Sequence, residues 1–137
     1  MQYAITYDQA ILGLLLAGAR ADGMFQHREK EIIIKLTTEI HPIAPTEYKF
    51  IIDLARELDP ALFEELILQV LQKYATDAGL EALYWLLIIL EVDIVYTQPA
   101  HSDHDELLYR VAEALQIDWE DMYLYKQKRD KELDFRS

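Results

Sequence analysis

Apolar residues recur at three- and four-residue spacing along most of the chain, and the breaks between these runs are marked by caps, prolines and a glycine. Thr6-Tyr7-Asp8-Gln9 has the form of a capping box. It opens a helix carrying Ile11, Leu12, Leu15, Leu16 and Ala19, with an end expected near Ala21-Asp22-Gly23, where Gly23 suits a left-handed stop. A second helix is expected from about His27 to Ile40, with Ile33, Leu36 and Ile40 on one face and Glu29 and Glu31 near its positive end. Gln26 is a poor cap for it. Pro42 and Pro45 enforce a break.

Thr46 is expected to cap a third helix through Phe50, Ile51, Leu54 and Leu58. Asp59-Pro60, a cap followed by proline at the first helical position, starts a fourth running to about Tyr74. A fifth begins at Asp77. Its stretch Ala82 to Leu90 is apolar all round, as a central helix with neighbours on every side would be. A buried strand would read similarly, but Leu80 and Glu81 prolong the pattern to helical length. Residues 93–101 include Ile94, Val95, Tyr96 and Thr97, which have strand character, but with no second strand to pair they are read as a loop. Ser102 caps a sixth helix through Leu107, Leu108, Val111, Ala112 and Leu115. Asp118 caps a seventh that begins at Trp119 and frays in the basic tail Lys126 to Lys131. The expected architecture is one all-α domain, a bundle of about seven helices spanning residues 1–137.

Composition narrows the function classes. Only 4 Gly and 4 Pro are present, few for a sheet protein, and the absence of Cys excludes disulfides and thiolate metal sites. The longest apolar run is far short of the ~20 residues of a membrane span. The N-terminus lacks a basic region ahead of an apolar stretch, and together these point to a cytoplasmic protein without membrane insertion. The net charge of −12, from 13 basic and 25 acidic residues, argues against nucleic acid and fits cations, a basic protein surface or simple solubility. The tail's basic run reads most simply as the solvated end of a helix.

Two segments are alike. Leu14 to Phe25 is an apolar helix ending in Ala21-Asp22-Gly23, with Glu29 opening the next helix. Leu86 to Asp93 is another, followed by Asp103, Asp105 and Glu106 ahead of Leu107 to Leu115. A helix–acidic loop–helix unit used twice suggests pseudo-twofold packing of two hairpins.

Ala21-Asp22-Gly23, with Glu29 seven residues after the Asp and aliphatics beyond, resembles the signature of TerB-like domains, the tellurite-resistance B family. Leu108-Tyr109-Arg110-Val111-Ala112-Glu113-Ala114-Leu115 is similar to that family's second half, and the resemblance spans roughly Tyr7 to Tyr123. It implies an all-helical fold with two related halves and acids gathered at the loops. It also implies a non-enzymatic role near metal or oxyanion stress, or as a module joined to other domains, including J-domain co-chaperones. The chain has no His-Pro-Asp motif of a J-domain. The second copy departs from the pattern: Val92-Asp93-Ile94 stands where Ala-Asp-Gly is expected, and Asp105 follows Asp93 by 12 residues rather than seven.

The candidate ligands follow from these loops. Asp22 and Glu29 are hard oxygen donors that could hold Ca²⁺ or Mg²⁺ together with backbone carbonyls and water. Their plainer roles are to satisfy loop N–H groups and to serve a helix terminus. His101, Asp103, His104 and Asp105, with Asp93 and Glu106 near, suit Zn²⁺, Ni²⁺ or Fe, although carboxylates also favour helix N-termini without any metal. His104-Asp105 spells the pair used by helical HD-type phosphohydrolases, for which His41 and Asp121 would have to supply the remaining ligands. No Cys is present and Ser occurs only at 102 and 137, which leaves nucleophilic catalysis without a candidate. Trp119, Tyr123 and Tyr125 on the last helix either close the core or mark a partner surface. The expected role is a non-enzymatic binding or scaffold module for protein partners with a cation-binding acidic face. The alternatives are a metal-dependent hydrolase built on His101, His104 and Asp105, or an interaction module without metal.

Overall fold

The computed structural model describes residues 4–21, 27–74, 76–90, 94–95, 98–99 and 105–133. Within them the chain forms α1 (Tyr7–Ala21), α2 (His27–Lys35), α3 (Pro45–Glu57), α4 (Pro60–Leu71), α5 (Thr76–Leu90), α6 (Asp105–Ala114) and α7 (Trp119–Leu133). A π-helical turn, Leu36–Ile40, continues α2. The expected all-α class holds.

The helix ends show which sequence signals act. The capping box closes in both directions: Gln9 N–H donates to Thr6 Oγ1 at 3.2 Å and Thr6 N–H to Gln9 Oε1 at 2.9 Å. Asp59 caps α4 through Ala61 N–H, and Asp118 caps α7 through Glu120 N–H. Thr46 does not cap α3. The helix starts two residues earlier than such a cap implies, with Pro45 as its first residue and Ala44 as a cap without a side-chain bond. Proline's fixed φ already suits that first position, and its missing N–H needs no acceptor there. Beyond α6, Gln116 adopts φ 55, and Ile117 N–H reaches Ala112 O while Gln116 N–H reaches Glu113 O. This is a Schellman stop made without glycine.

Two expectations are corrected. The second helix does not run as a plain α-helix to Ile40. Thr37 Oγ1 donates to Ile33 O and Thr38 Oγ1 to Ile34 O, at 2.8 and 2.7 Å, so side-chain hydroxyls compete for carbonyls of the preceding turn. The backbone widens, and His41 N–H bonds Leu36 O five residues back. The segment read as a loop contains a minimal antiparallel ladder, β1 (Ile94–Val95) with β2 (Gln98–Pro99), in which Ile94 pairs with Pro99 and Val95 with Gln98. Its partner strand comes from the same short segment, four residues on, which a search for a separate strand overlooks. The ladder packs on α7.

Every residue from Gly79 to Leu90 is buried, so the expected central helix is observed as α5. It packs against α1, α4, α6 and α7, and α1 in turn packs against α3 and α4. Gly13 and Gly18 let α1 approach closely. A Cβ on Gly13 would lie 2.5 Å from Ile67 Cδ1 of α4, and one on Gly18 would lie 2.7 Å from Leu86 Cδ1 of α5. The buried apolar side chains form one contiguous cluster, on which Trp119, Tyr123 and Tyr125 pack from α7. These aromatics therefore close the core. Among the described residues, no helix is long and apolar enough to cross a membrane.

Candidate functional site

The strongest concentration of charge in the interior is at Glu81, on the first half of the apolar helix α5. Its residue exposure is 7%. A carboxylate placed there must be compensated, because an unpaired buried charge costs several kcal/mol, on the order of the whole stability of a small domain. Three elements supply its partners: the π-turn, α5 itself and α7.

His41, delivered by the π-turn just before Pro42, donates from Nε2 to Glu81 Oε2 at 2.8 Å. Trp85, one turn along α5, donates from Nε1 to the same oxygen at 3.0 Å. From α7, Tyr125 donates its hydroxyl to Oε1 at 2.5 Å. Arg129, four residues on and so on the same face, donates Nε to Oε1 at 2.8 Å and Nη2 to Oε2 at 2.6 Å. His41 Nδ1 faces Asp8 Oδ1 of α1 at 3.1 Å. Both acceptors of the imidazole are carboxylates, which hold its pKa above the ordinary value and favour the imidazolium, in which both ring nitrogens donate. Asp8, Glu81, His41 and Arg129 thus form a neutral quartet joining α1, the π-turn, α5 and α7.

Beside it runs a second pair. Lys126, 6% exposed, donates to Asp130 Oδ2 at 2.8 Å, and Tyr84 of α5 donates to Asp130 Oδ1 at the same distance. The basic tail is therefore not simply a solvated helix end. Lys126 and Arg129 turn inward because the face of α5 opposite them carries Glu81 and Tyr84.

The electrostatics follow from the contacts. Burial pushes the Glu81 carboxyl upward, but the hydrogen bonds from His41, Arg129, Tyr125 and Trp85 outweigh it and hold the group far below the ordinary carboxylate value. For His41, burial works against the charged form, while Glu81 and Asp8 raise it further, leaving the imidazole above its ordinary 6.5. Burial, followed by the nearby Glu81 charge, drives the hydroxyls of Tyr7 and Tyr125 upward, and both stay neutral. Two carboxylate oxygens here accept five donors, which fills their capacity. Chemically the cluster is suited to holding helices together rather than to taking a proton or metal.

The residues expected to hold a metal fall differently. Asp22, Asp93, His101, Asp103 and His104, and the side chain of Asp105, lie outside the described residues, as do Gln26 and Ser102. Asp105 begins α6, and Glu106 beside it is exposed. Glu29, in the first turn of α2, is turned into the protein at 3% exposure, while Glu31 has a side-chain exposure of 67% and pairs with His27. Arg28, its chain neighbour, reaches across to donate to Ile88 O of α5 at 2.7 Å. Among the described residues no group of three or more His, Asp or Glu is placed to hold a metal ion. Of the residues considered for an HD-type site, His41 is bound to the Glu81 cluster and Asp121 is exposed on α7.

In the sequence, Glu81 stands out only as the residue that extends the apolar pattern of α5 to helical length. A lone acid in an otherwise apolar helix was the available signal, since such a residue has to find donors elsewhere in the chain. The resemblance to TerB-like domains rests on its motif residues alone. Compared with known proteins, the chain matches no family model, no curated protein and no solved structure.

Proposed function

We propose that this chain is a TerB-like, non-enzymatic binding module of the cytoplasm whose first acidic loop takes a divalent cation and whose acidic surface receives a protein partner. The two helical hairpins, α1 with α2 and α5 with α6, are read as related halves, each carrying acids where its two helices meet. The observation that carries the reading is the inward placement of Glu29. It occupies the acidic position of the TerB-like signature, at the end of α2 adjoining residues 22–26, while its neighbours Lys30 and Glu31 face outward. An oxygen donor held inside the fold at a loop edge suits a hard cation such as Ca²⁺ or Mg²⁺. The net charge of −12 favours cation capture and a basic partner surface. The second loop, with Asp93, His101, Asp103, His104, Asp105 and Glu106, is the secondary site, better suited to Zn²⁺ by its imidazoles. A role in tellurite or metal stress follows from the resemblance.

Thermal unfolding tests the reading. Ca²⁺, Mg²⁺ or Zn²⁺ at a hundredfold excess over its dissociation constant should stabilise the fold by about 2.7 kcal/mol and raise Tm by several degrees. Asp22→Ala should remove the response to the ion bound in the first loop. An unchanged Tm at millimolar levels of all three ions contradicts it.

A further inference from the structure

A groove of about 600 Å³ opens between α1, α4 and α6, and none of the Glu81 cluster lines it. That volume lies within the roughly 300–1,000 Å³ of small-molecule sites. Its apolar lining comes from Ala17 of α1, from Pro60 and Ala61 at the start of α4, and, at its depth, from the almost wholly buried Phe63 of α4 and Leu107 of α6. The rim has the opposite sign to the rest of the protein. Arg20 stands three residues after Ala17 on α1, and Arg110 three residues after Leu107 on α6, so each helix offers the groove an apolar residue followed by a guanidinium.

Neither guanidinium is used up. Arg20 donates Nη2 to Ala55 O at 2.5 Å, and Arg110 donates Nε and Nη2 to Glu64 at 2.9 Å each. Among the described residues this leaves Nε and Nη1 of Arg20 and Nη1 of Arg110 to serve further acceptors. Glu64 also lines the groove, so two positive groups and one negative group meet there. The excess is a single positive charge in a chain of net charge −12.

We propose that this groove binds a small monocarboxylic acid with an apolar body. The carboxylate sits at the arginine rim and the hydrocarbon lies along Ala17, Pro60 and Ala61. Glu64 selects for a monoanion, because a dianionic phosphate would meet its like charge across the rim. The guanidinium fork matches a carboxylate in shape and charge.

Calorimetric titration with decanoate, below its micelle concentration and in EDTA, tests the site independently of any cation. Saturable one-to-one binding of decanoate is expected, with decyltrimethylammonium, of equal tail and opposite charge, not binding. Arg110→Gln and Arg20→Gln should each weaken decanoate about tenfold. Ala17→Leu, which fills the groove without touching the arginines, should abolish binding while circular dichroism shows the fold retained. The proposal is overturned if decanoate does not bind, if the cationic amphiphile binds equally well, or if the arginine and Ala17 variants bind decanoate like the parent protein.

Discussion

Arg129 of α7 meets Glu81 of α5 face to face, with Nε on Oε1 and Nη2 on Oε2, so one bidentate pair fixes the last helix against the central one. The pair is shielded, since the arginine and glutamate side chains are 17% and 9% exposed. Removing one partner would strand the other. Glu81→Leu leaves Arg129 and His41 without their shared acceptor and should cost about 3–5 kcal/mol in urea unfolding. By contrast Lys49→Ala, which breaks the exposed pair with Asp53, should cost no more than about 0.5 kcal/mol. Equal losses from the two variants would remove the Glu81 cluster from its structural role.

The same cluster sets a pH window. Glu81 has a folded value depressed below its ordinary 4.5, so its contribution is present above that pH and fades as pH falls toward the folded value. His41 has a folded value raised above 6.5, so its contribution is complete below pH 6.5 and is lost as pH rises through the folded value. The stability supplied by these two groups should therefore be greatest between pH 4.5 and 6.5. Unfolding curves across pH 4–9 should show an alkaline decline that is absent in His41→Gln. A decline of the same size in that variant would assign the effect to other groups.

Backbone geometry yields a stabilising change. Gln116 is held at φ 55, where a side chain other than glycine's is strained. Gln116→Gly should raise stability by about 1 kcal/mol, because the left-handed region costs other residues roughly 1–2 kcal/mol and glycine loses more chain entropy on folding. A midpoint that falls in urea unfolding would contradict this reading of the α6 stop.

Close packing predicts the reverse at Gly13. Alanine is the better helix former by about 1 kcal/mol. Its Cβ, however, would lie 2.5 Å from Ile67 Cδ1 and 3.3 Å from Phe63 Cζ, and these are backed by the core. Overpacking of this kind costs about 1–3 kcal/mol, so Gly13→Ala should be destabilising on balance. A gain in Tm would show that α1 and α4 can separate without cost.

The elements that were legible in the sequence are those whose cause is local. The Thr6–Gln9 box, Asp59-Pro60, Asp118 and the apolar run of α5 each act within a turn or two of chain, and each appears where the pattern puts it. The π-turn was less legible because it arises from competition between Thr37 and Thr38 and the backbone, which residue spacing does not express. The Glu81 cluster was not assembled at all. Its members stand at positions 8, 41, 81, 85, 125 and 129, and only the packing of α1, the π-turn, α5 and α7 brings them together. Lys126 and Arg129 looked like a solvated tail for the same reason. Of the expected metal ligands, Glu29 was chosen for its place in a motif, and its burial adds a feature the motif did not contain.

The proposed capture of a divalent cation by the first loop rests on Asp22 and Glu29. Chelator-stripped protein titrated calorimetrically with Ca²⁺, Mg²⁺ and Zn²⁺ tests it most directly. Saturable binding of at least one of these ions is expected, lost in the Asp22→Ala, Glu29→Gln double variant while decanoate binding survives. Absence of saturable binding for all three ions, or binding unchanged in the double variant, would contradict it.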